Sequence, residues 1–286
     1  MPPPAGTKRE ALVIYGHHSS LERLYSFAQV INDDIGITMP DLPGFGGMDS
    51  LYTIGEKPDL DTMADYLASI VKLRYKKNQR FSIIGVSYGF VAVTRMLERY
   101  PDIAERVDML ISVVGFTHKD EFTFTRTRYR MYIMGSSFFT HRLRAAFFRS
   151  VILHPMVLRT FYSRTHNAKH KFKNLDDEDR KLLTEYEIHL WRLNDIRTHW
   201  ATTVSFLKLN NCKGKVNLPV WHIHTKADIY FDNDLVEKNM KRIFTKVNSI
   251  IIPLDGHMPN VIAGKEESAV LVPEKIHKLL RKKLKS

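Results

Sequence analysis

Short apolar runs that end in glycine or proline alternate along this chain with segments of helical spacing. Ala11-Leu-Val-Ile-Tyr15 is a β-rich run that stops at Gly16. Ile37-Thr-Met39 leads into Pro40-Asp-Leu-Pro-Gly-Phe-Gly-Gly47, where proline and glycine force a turn. From Leu60 to Leu73 the apolar positions Met63, Leu67, Val71 and Leu73 predict a helix. Phe81-Ser-Ile-Ile-Gly-Val runs as a strand into Ser87, and a helix-compatible apolar stretch follows from Phe90 to Leu97. Val107–Val114, Val220–His224 and Ser249–Pro253 are further predicted strands. Strands that alternate with helices imply an α/β fold, a doubly wound and mostly parallel sheet covered on both faces.

The alternation fails between about Lys119 and Gly214, where convincing strands give way to an aromatic and basic composition. Asn174-Leu-Asp-Asp-Glu-Asp reads as a helix cap and acidic first turn, followed by Leu182, Leu183, Tyr186, Leu190 and Leu193 on one face. A second helix is predicted over Asp195 to Leu209. These features predict a core formed by residues 1–118 and 215–286, with residues 119–214 inserted as a helical cap between the sixth and seventh strands of the fold.

Charge adds to this picture. The chain of 286 residues has a net charge of +12. Between Thr117 and Lys173, twelve Lys or Arg residues face only Asp120 and Glu121. Lys275, Lys278, Arg281, Lys282, Lys283 and Lys285 form a second basic cluster in a predicted C-terminal helix. Phe138 to Leu153 reads as a basic amphipathic helix, suited together with the C-terminal helix to weak contact with an anionic membrane surface. The aromatic residues fit no nucleic-acid recognition module, so nucleic acid is not an expected partner. The first residues lack the apolar stretch of a secretory signal, and no window is long and apolar enough to span a membrane. Cys212 is the only cysteine, so no internal disulfide forms, and a cytoplasmic location is expected.

Candidate chemistry centres on Gly85-Val-Ser87-Tyr-Gly89. A Gly-x-Ser-x-Gly motif between a strand and a helix is the context a nucleophile elbow requires. The serine must sit on a strained turn clear of the sheet, and the flanking glycines remove side chains that would clash. A serine hydroxyl also needs a base, and the base needs an orienting group. Downstream, Asp228 lies just past the strand Val220–His224, with Asp232 and Asp234 as later rivals. His257 follows the last strand in Leu254-Asp-Gly-His257. The chain order is therefore nucleophile, acid, base.

Four motifs in this order resemble the α/β-hydrolase fold superfamily: Gly85–Gly89, Asp41-Leu-Pro-Gly-Phe-Gly46, Leu218–Asp228 and Asp255-Gly-His257. The resemblance covers essentially the whole chain and implies an esterase- or lipase-like serine hydrolase. It implies Ser87 as nucleophile, His257 as base and Asp228 as the group that orients it. It also implies an oxyanion hole from the backbone N–H groups of His17 and Tyr88, with Tyr15 where the family commonly has histidine. The expected reaction is cleavage of a small or medium hydrophobic carboxylic ester or lactone, without metal or organic cofactor. A lactonase, a thioesterase or a C–C hydrolase would share these motifs. Haloalkane dehalogenases and epoxide hydrolases place Asp where this chain has Ser87. A ligand-binding or receptor protein on the same fold is the rival class.

The remaining conspicuous residues have plainer explanations. Asp41 is expected to shape its loop. His222 and His224 point to one face of a buried strand, where core histidines are more common than metal ligands. His166 and His170 have i, i+4 spacing without the residues of a zinc helix. The aromatic residues of the insertion are expected to pack its own small core, and some of them to line an apolar pocket closed over Ser87.

Overall fold

The structure is a computed structural model, and it describes residues 1–164, 177–258 and 264–282. Six strands form one sheet in the order β2-β1-β3-β4-β5-β6, with every neighbouring pair parallel. They are β1 (Glu10–Ile14), β2 (Gly36–Thr38), β3 (Phe81–Val86), β4 (Val107–Val113), β5 (Val216–Ala227) and β6 (Phe244–Asp255). Helices α1 (Tyr25–Asn32), α2 (Leu60–Arg74), α3 (Tyr88–Arg99) and α4 (Pro101–Ala104) follow the first three strands. After β4 the chain forms α5 (Arg126–Phe139), α6 (Arg142–Phe147), a π-helical turn (Phe148–Ile152), α7 (Pro155–Arg164), α8 (Asp177–Leu193) and α9 (Ile196–Leu207) before returning as β5. α10 (Asn233–Ile243) joins β5 to β6, and α11 (Lys265–Ala269) and α12 (Glu274–Arg281) complete the described chain.

The sheet forms because its strands are apolar on both faces. Every residue of β3 is buried, as are Ala11 to Ile14 of β1. Helices must then cover both sides: α2 and α3, packed on each other, present Met63, Leu67, Val71, Val91 and Met96 on one, and α1 and α12 present Phe27, Ile31 and Ile276 on the other. The helix predicted from Leu60 forms, but Leu73 points to solvent at 85% exposure because Val71 already completes the buried stripe. The insertion follows the fourth strand of this six-stranded sheet rather than the sixth.

Other expectations change in detail. Leu183 and Leu190 of α8 are buried as the spacing predicted and Ile188 joins them, but Leu182 is 57% exposed and leaves that face. Phe138 to Leu153 is not one helix: α5 ends at Phe139, α6 begins at Arg142, and a π-helical turn follows. Residues 174–176, His166, His170, Lys283 and Lys285 lie outside the described residues. Among the described residues no helix is long and apolar enough to cross a membrane.

Strand order also locates the site. The chain runs from β1 outward to β2, then crosses back to β3 on the other side of β1. At such a switch point the loops leaving two neighbouring strands diverge, opening a crevice beyond their carboxyl ends. The loops after β1 and β3 carry His17 and Ser87.

Candidate active site

Ser87 holds φ 50° and ψ −119°, a backbone conformation costly for any residue with a side chain. Its N–H donates to the Val113 carbonyl at 2.9 Å, and its carbonyl accepts from Phe90 N–H at 3.0 Å, so both neighbours hold the turn. The flanking glycines are sterically required. A Cβ on Gly85 would lie 2.6 Å from Phe90 Cα, and one on Gly89 would lie 2.3 Å from the Ile14 carbonyl oxygen. Among the described residues, the two other non-glycine positions with positive φ, His18 (52°) and Val114 (46°), lie beyond the carboxyl ends of β1 and β4. Backbone strain is thus concentrated along this edge of the sheet.

Register brings the acid and the base together. Ala227 on β5 pairs with Asp255 on β6, so Asp228 and His257 leave adjacent strands side by side. Asp228 Oδ2 accepts from His257 Nδ1 at 2.6 Å, and His257 Nε2 lies 3.0 Å from Ser87 Oγ. The Asp228 side chain is only 3% exposed. Its other oxygen accepts from Tyr230 N–H at 2.8 Å and Phe231 N–H at 3.3 Å, which fixes the carboxylate in an Asx turn. The rivals are used elsewhere. Asp232 caps α10 by accepting from Asp234 and Leu235 N–H, and Asp234 is an acidic residue in that helix's first turn.

The loop after β1 closes against the serine, because a Cβ on Gly16 would stand 3.2 Å from Ser87 Cβ. Among the described residues, the N–H groups of His17 and Tyr88 have no hydrogen-bond acceptor. The His17 imidazole is held by α9: its Nε2 lies 3.0 Å from Thr202 Oγ1 and 3.1 Å from the His199 carbonyl oxygen. Desolvation pushes His17 down to about 4 and moves His199 well below the usual histidine range, so both rings are neutral near pH 7. Asp41 shapes its turn as expected. The Tyr15 hydroxyl donates to Asp41 Oδ1 at 2.9 Å and accepts from Leu42 N–H at 2.7 Å.

Aromatic rings surround the base. Tyr230 and Phe231 lie 5.4 and 5.5 Å from the His257 ring. Phe122, at the start of the insertion, is 4.8 Å from Phe231, and Phe206 of α9 is 5.0 Å from His17. The insertion is tied to the acid loop, since Thr123 N–H donates to the Tyr230 carbonyl and Asp232 N–H to that of Glu121. The buried Glu121 carboxylate accepts from Thr117 N–H, Thr117 Oγ1 and Asn239 Nδ2, and burial raises its pKa. Sequence reasoning did not find Glu121, His199 or Thr202. No local motif marks them: His199 and Thr202 act on His17, and Glu121 reaches Asn239 as well as nearby Thr117, contacts that only the fold creates.

His222 is a core histidine: its Nδ1 lies 3.0 Å from Ser112 Oγ, its ring stacks on His224, and burial pushes it down to about 3. Its Nε2 is buried with no partner, so it is less fully satisfied than expected. No cluster of His, Cys, Asp or Glu that could hold a metal occurs among the described residues.

Comparison with known proteins agrees with this architecture. The family model of the alpha/beta hydrolase fold matches residues 13–262. No curated protein matches the chain significantly in sequence. An esterase from Exiguobacterium antarcticum superposes with a TM-score of 0.68 at 14% identity, covering 97% of this chain and 93% of its own. The enol-lactonase from Burkholderia xenovorans gives 0.65 at 11% identity, with 98% and 94% coverage. The epoxide hydrolase CorEH gives 0.66 at 15% identity, with 97% and 92% coverage. Neighbours this distant share the fold, and their chemistry differs from one to the next. The chain belongs to the alpha/beta hydrolase fold family.

Proposed function

We propose that the chain is a serine hydrolase that cleaves carboxylic esters of small or medium hydrophobic substrates. The observation that carries this reading is the unbroken hydrogen-bonded line from Asp228 through His257 to Ser87. Ser87 Oγ attacks the ester carbonyl carbon while His257 Nε2 takes the hydroxyl proton. The carbonyl π pair moves onto oxygen, and the N–H groups of His17 and Tyr88 hold that oxyanion, at about 3 kcal/mol each. Asp228 keeps the proton on Nδ1 and stabilises the imidazolium. Collapse expels the alcohol, which takes its proton from His257. Water then gives a proton to His257, attacks the acyl carbon, and frees Ser87 by the reverse route.

In this reading residues 1–118 and 215–286 carry the chemistry, and residues 119–214 act as a cap. Phe122 and Phe206 from the cap, with Phe231 from the acid loop, supply an apolar surface for the acyl group. Cap closure excludes water and strengthens the oxyanion contacts. The same steps open a lactone or a thioester. A reducing cytoplasm suits the single half-buried thiol of Cys212.

A fluorophosphonate probe tests the activated nucleophile, read by mass spectrometry on the wild type and on Ser87→Ala. Labelling at Ser87 that disappears in the variant is the expected result. A panel of p-nitrophenyl esters, lactones and thioesters then ranks substrates. No labelling, together with no turnover of any of these, would leave a ligand-binding protein on a hydrolase fold.

A further inference from the structure

The outer face of the insertion is apolar where a surface in water should be polar. Twenty-one large apolar side chains are exposed among the described residues, and eleven of them lie between Met131 and Phe161. They follow helical spacing. On α5, Met131, Met134 and Phe138 are 68, 72 and 50% exposed. From α6 into the π-helical turn, Leu143, Phe147 and Val151 stand four residues apart at 72, 57 and 46%. Val157 and Phe161 continue the spacing on α7.

The opposite faces of these helices are in use. Tyr129 of α5 hydrogen-bonds the Leu207 carbonyl of α9, Ser136 is buried, and Phe139 packs on Trp200. Ala145 of α6 and Leu158 of α7 are buried in a small cluster with Ile188 and Ile196. The aromatic residues expected to fill the insertion's core are therefore divided: some do so, and others face out.

Charge identifies the occupant. Between Phe122 and Arg164 the chain carries eight arginines and no aspartate or glutamate. Arg126, Arg130 and Arg142 are exposed and have no carboxylate partner among the described residues. Arg144 lies over the Phe138 ring at 4.4 Å, and Arg128 over that of Phe124 at 4.8 Å, so cations sit beside the apolar stripe. An apolar stripe bordered by unopposed arginines matches the boundary between acyl chains and anionic headgroups. The C-terminal helix offers a contrast. Its apolar residues Ile276 and Leu280 are buried in the core, so its lysines lack an apolar face to insert beside them. Among the described residues, the insertion is where both features combine.

We propose that the outer face of α5, α6 and α7 docks on an anionic phospholipid bilayer, inserting the Met, Leu and Phe stripe among acyl chains with arginines on headgroup phosphates. Co-sedimentation of the purified chain with unilamellar vesicles of phosphatidylcholine, with and without 30% phosphatidylglycerol, tests this by a readout independent of turnover. Binding to the mixed vesicles, and little to phosphatidylcholine alone, is expected. Replacing Arg126, Arg130 and Arg142 together by Gln is expected to weaken partitioning on the order of 100-fold. A Met134→Ser, Leu143→Ser, Phe147→Ser variant, shown folded by circular dichroism, is expected to lose the binding that persists at 0.5 M salt. Three results would overturn the proposal: no sedimentation with anionic vesicles, binding unaffected by the serine variant, or a concentration-dependent dimer that the serine variant abolishes.

Discussion

The carboxyl edge of the sheet and the outer face of the insertion solve opposite problems. At the sheet edge a serine, an acid and a histidine are held by strained backbone and buried hydrogen bonds, with apolar side chains packed tightly around them. On the insertion three short helices bury only a thin seam and leave their longer apolar side chains outside. Here the parallel strands give precise placement, because the register of β5 on β6 sets Asp228 beside His257. A docking surface needs no such precision, and short helices with few buried contacts suffice to display it.

The largest expected effect lies at the sheet edge. Ser87→Ala and His257→Ala are each expected to reduce turnover of a p-nitrophenyl ester on the order of 10⁶-fold, and the double variant hardly further, because the two act as one unit. Additive losses in steady-state kinetics would separate them. Asp228→Asn is expected to lower kcat by about 10⁴ with the fold intact. Asp232→Asn, which alters only a helix cap, is expected to cost at most about 1 kcal/mol of stability and leave kcat nearly unchanged. If the kinetics reverse these two, the acid has been misassigned.

The buried core beneath that edge is expected to respond to pH. His222 is held neutral, with its folded pKa pushed down to about 3 by burial, whereas an unfolded histidine titrates near 6.5. Below about pH 6.5 the unfolded chain binds a proton that the folded chain refuses, so stability falls as pH drops from there toward 3. At pH 5 this contribution is about 2 kcal/mol. In His222→Asn the difference between melting temperatures at pH 7.5 and pH 5 is expected to narrow, and an unchanged difference would mean that His222 is protonated in the fold. The smallest effect belongs to the insertion's outer face. Leu143→Ser is expected to change stability by no more than about 0.5 kcal/mol, and a larger loss in chemical denaturation would mean that Leu143 is packed rather than displayed.

Much of this was legible along the chain because the determinants are local. Glycines at 85 and 89 around Ser87 mark a turn where backbones meet closely, and apolar runs bounded by glycine or proline mark strands of a covered sheet. The order of Ser87, Asp228 and His257 was likewise readable, each just beyond a strand. Tertiary structure decided what spacing does not encode. Position just past a strand favoured Asp228 over Asp232, but its contact with His257 depends on the pairing of Ala227 with Asp255, and the turning away of Asp232 on the cap of α10, both products of three-dimensional packing. His17 and His199 became neutral because distant segments fold over them and remove water. Leu182 and Leu73 satisfied the helical period yet face solvent, since periodicity defines a stripe and only the neighbouring element decides where burial stops. For the same reason the outward turn of Phe138, Leu143 and Phe147 could not be read from hydrophobicity, which is the same for a core residue and for one awaiting a lipid surface.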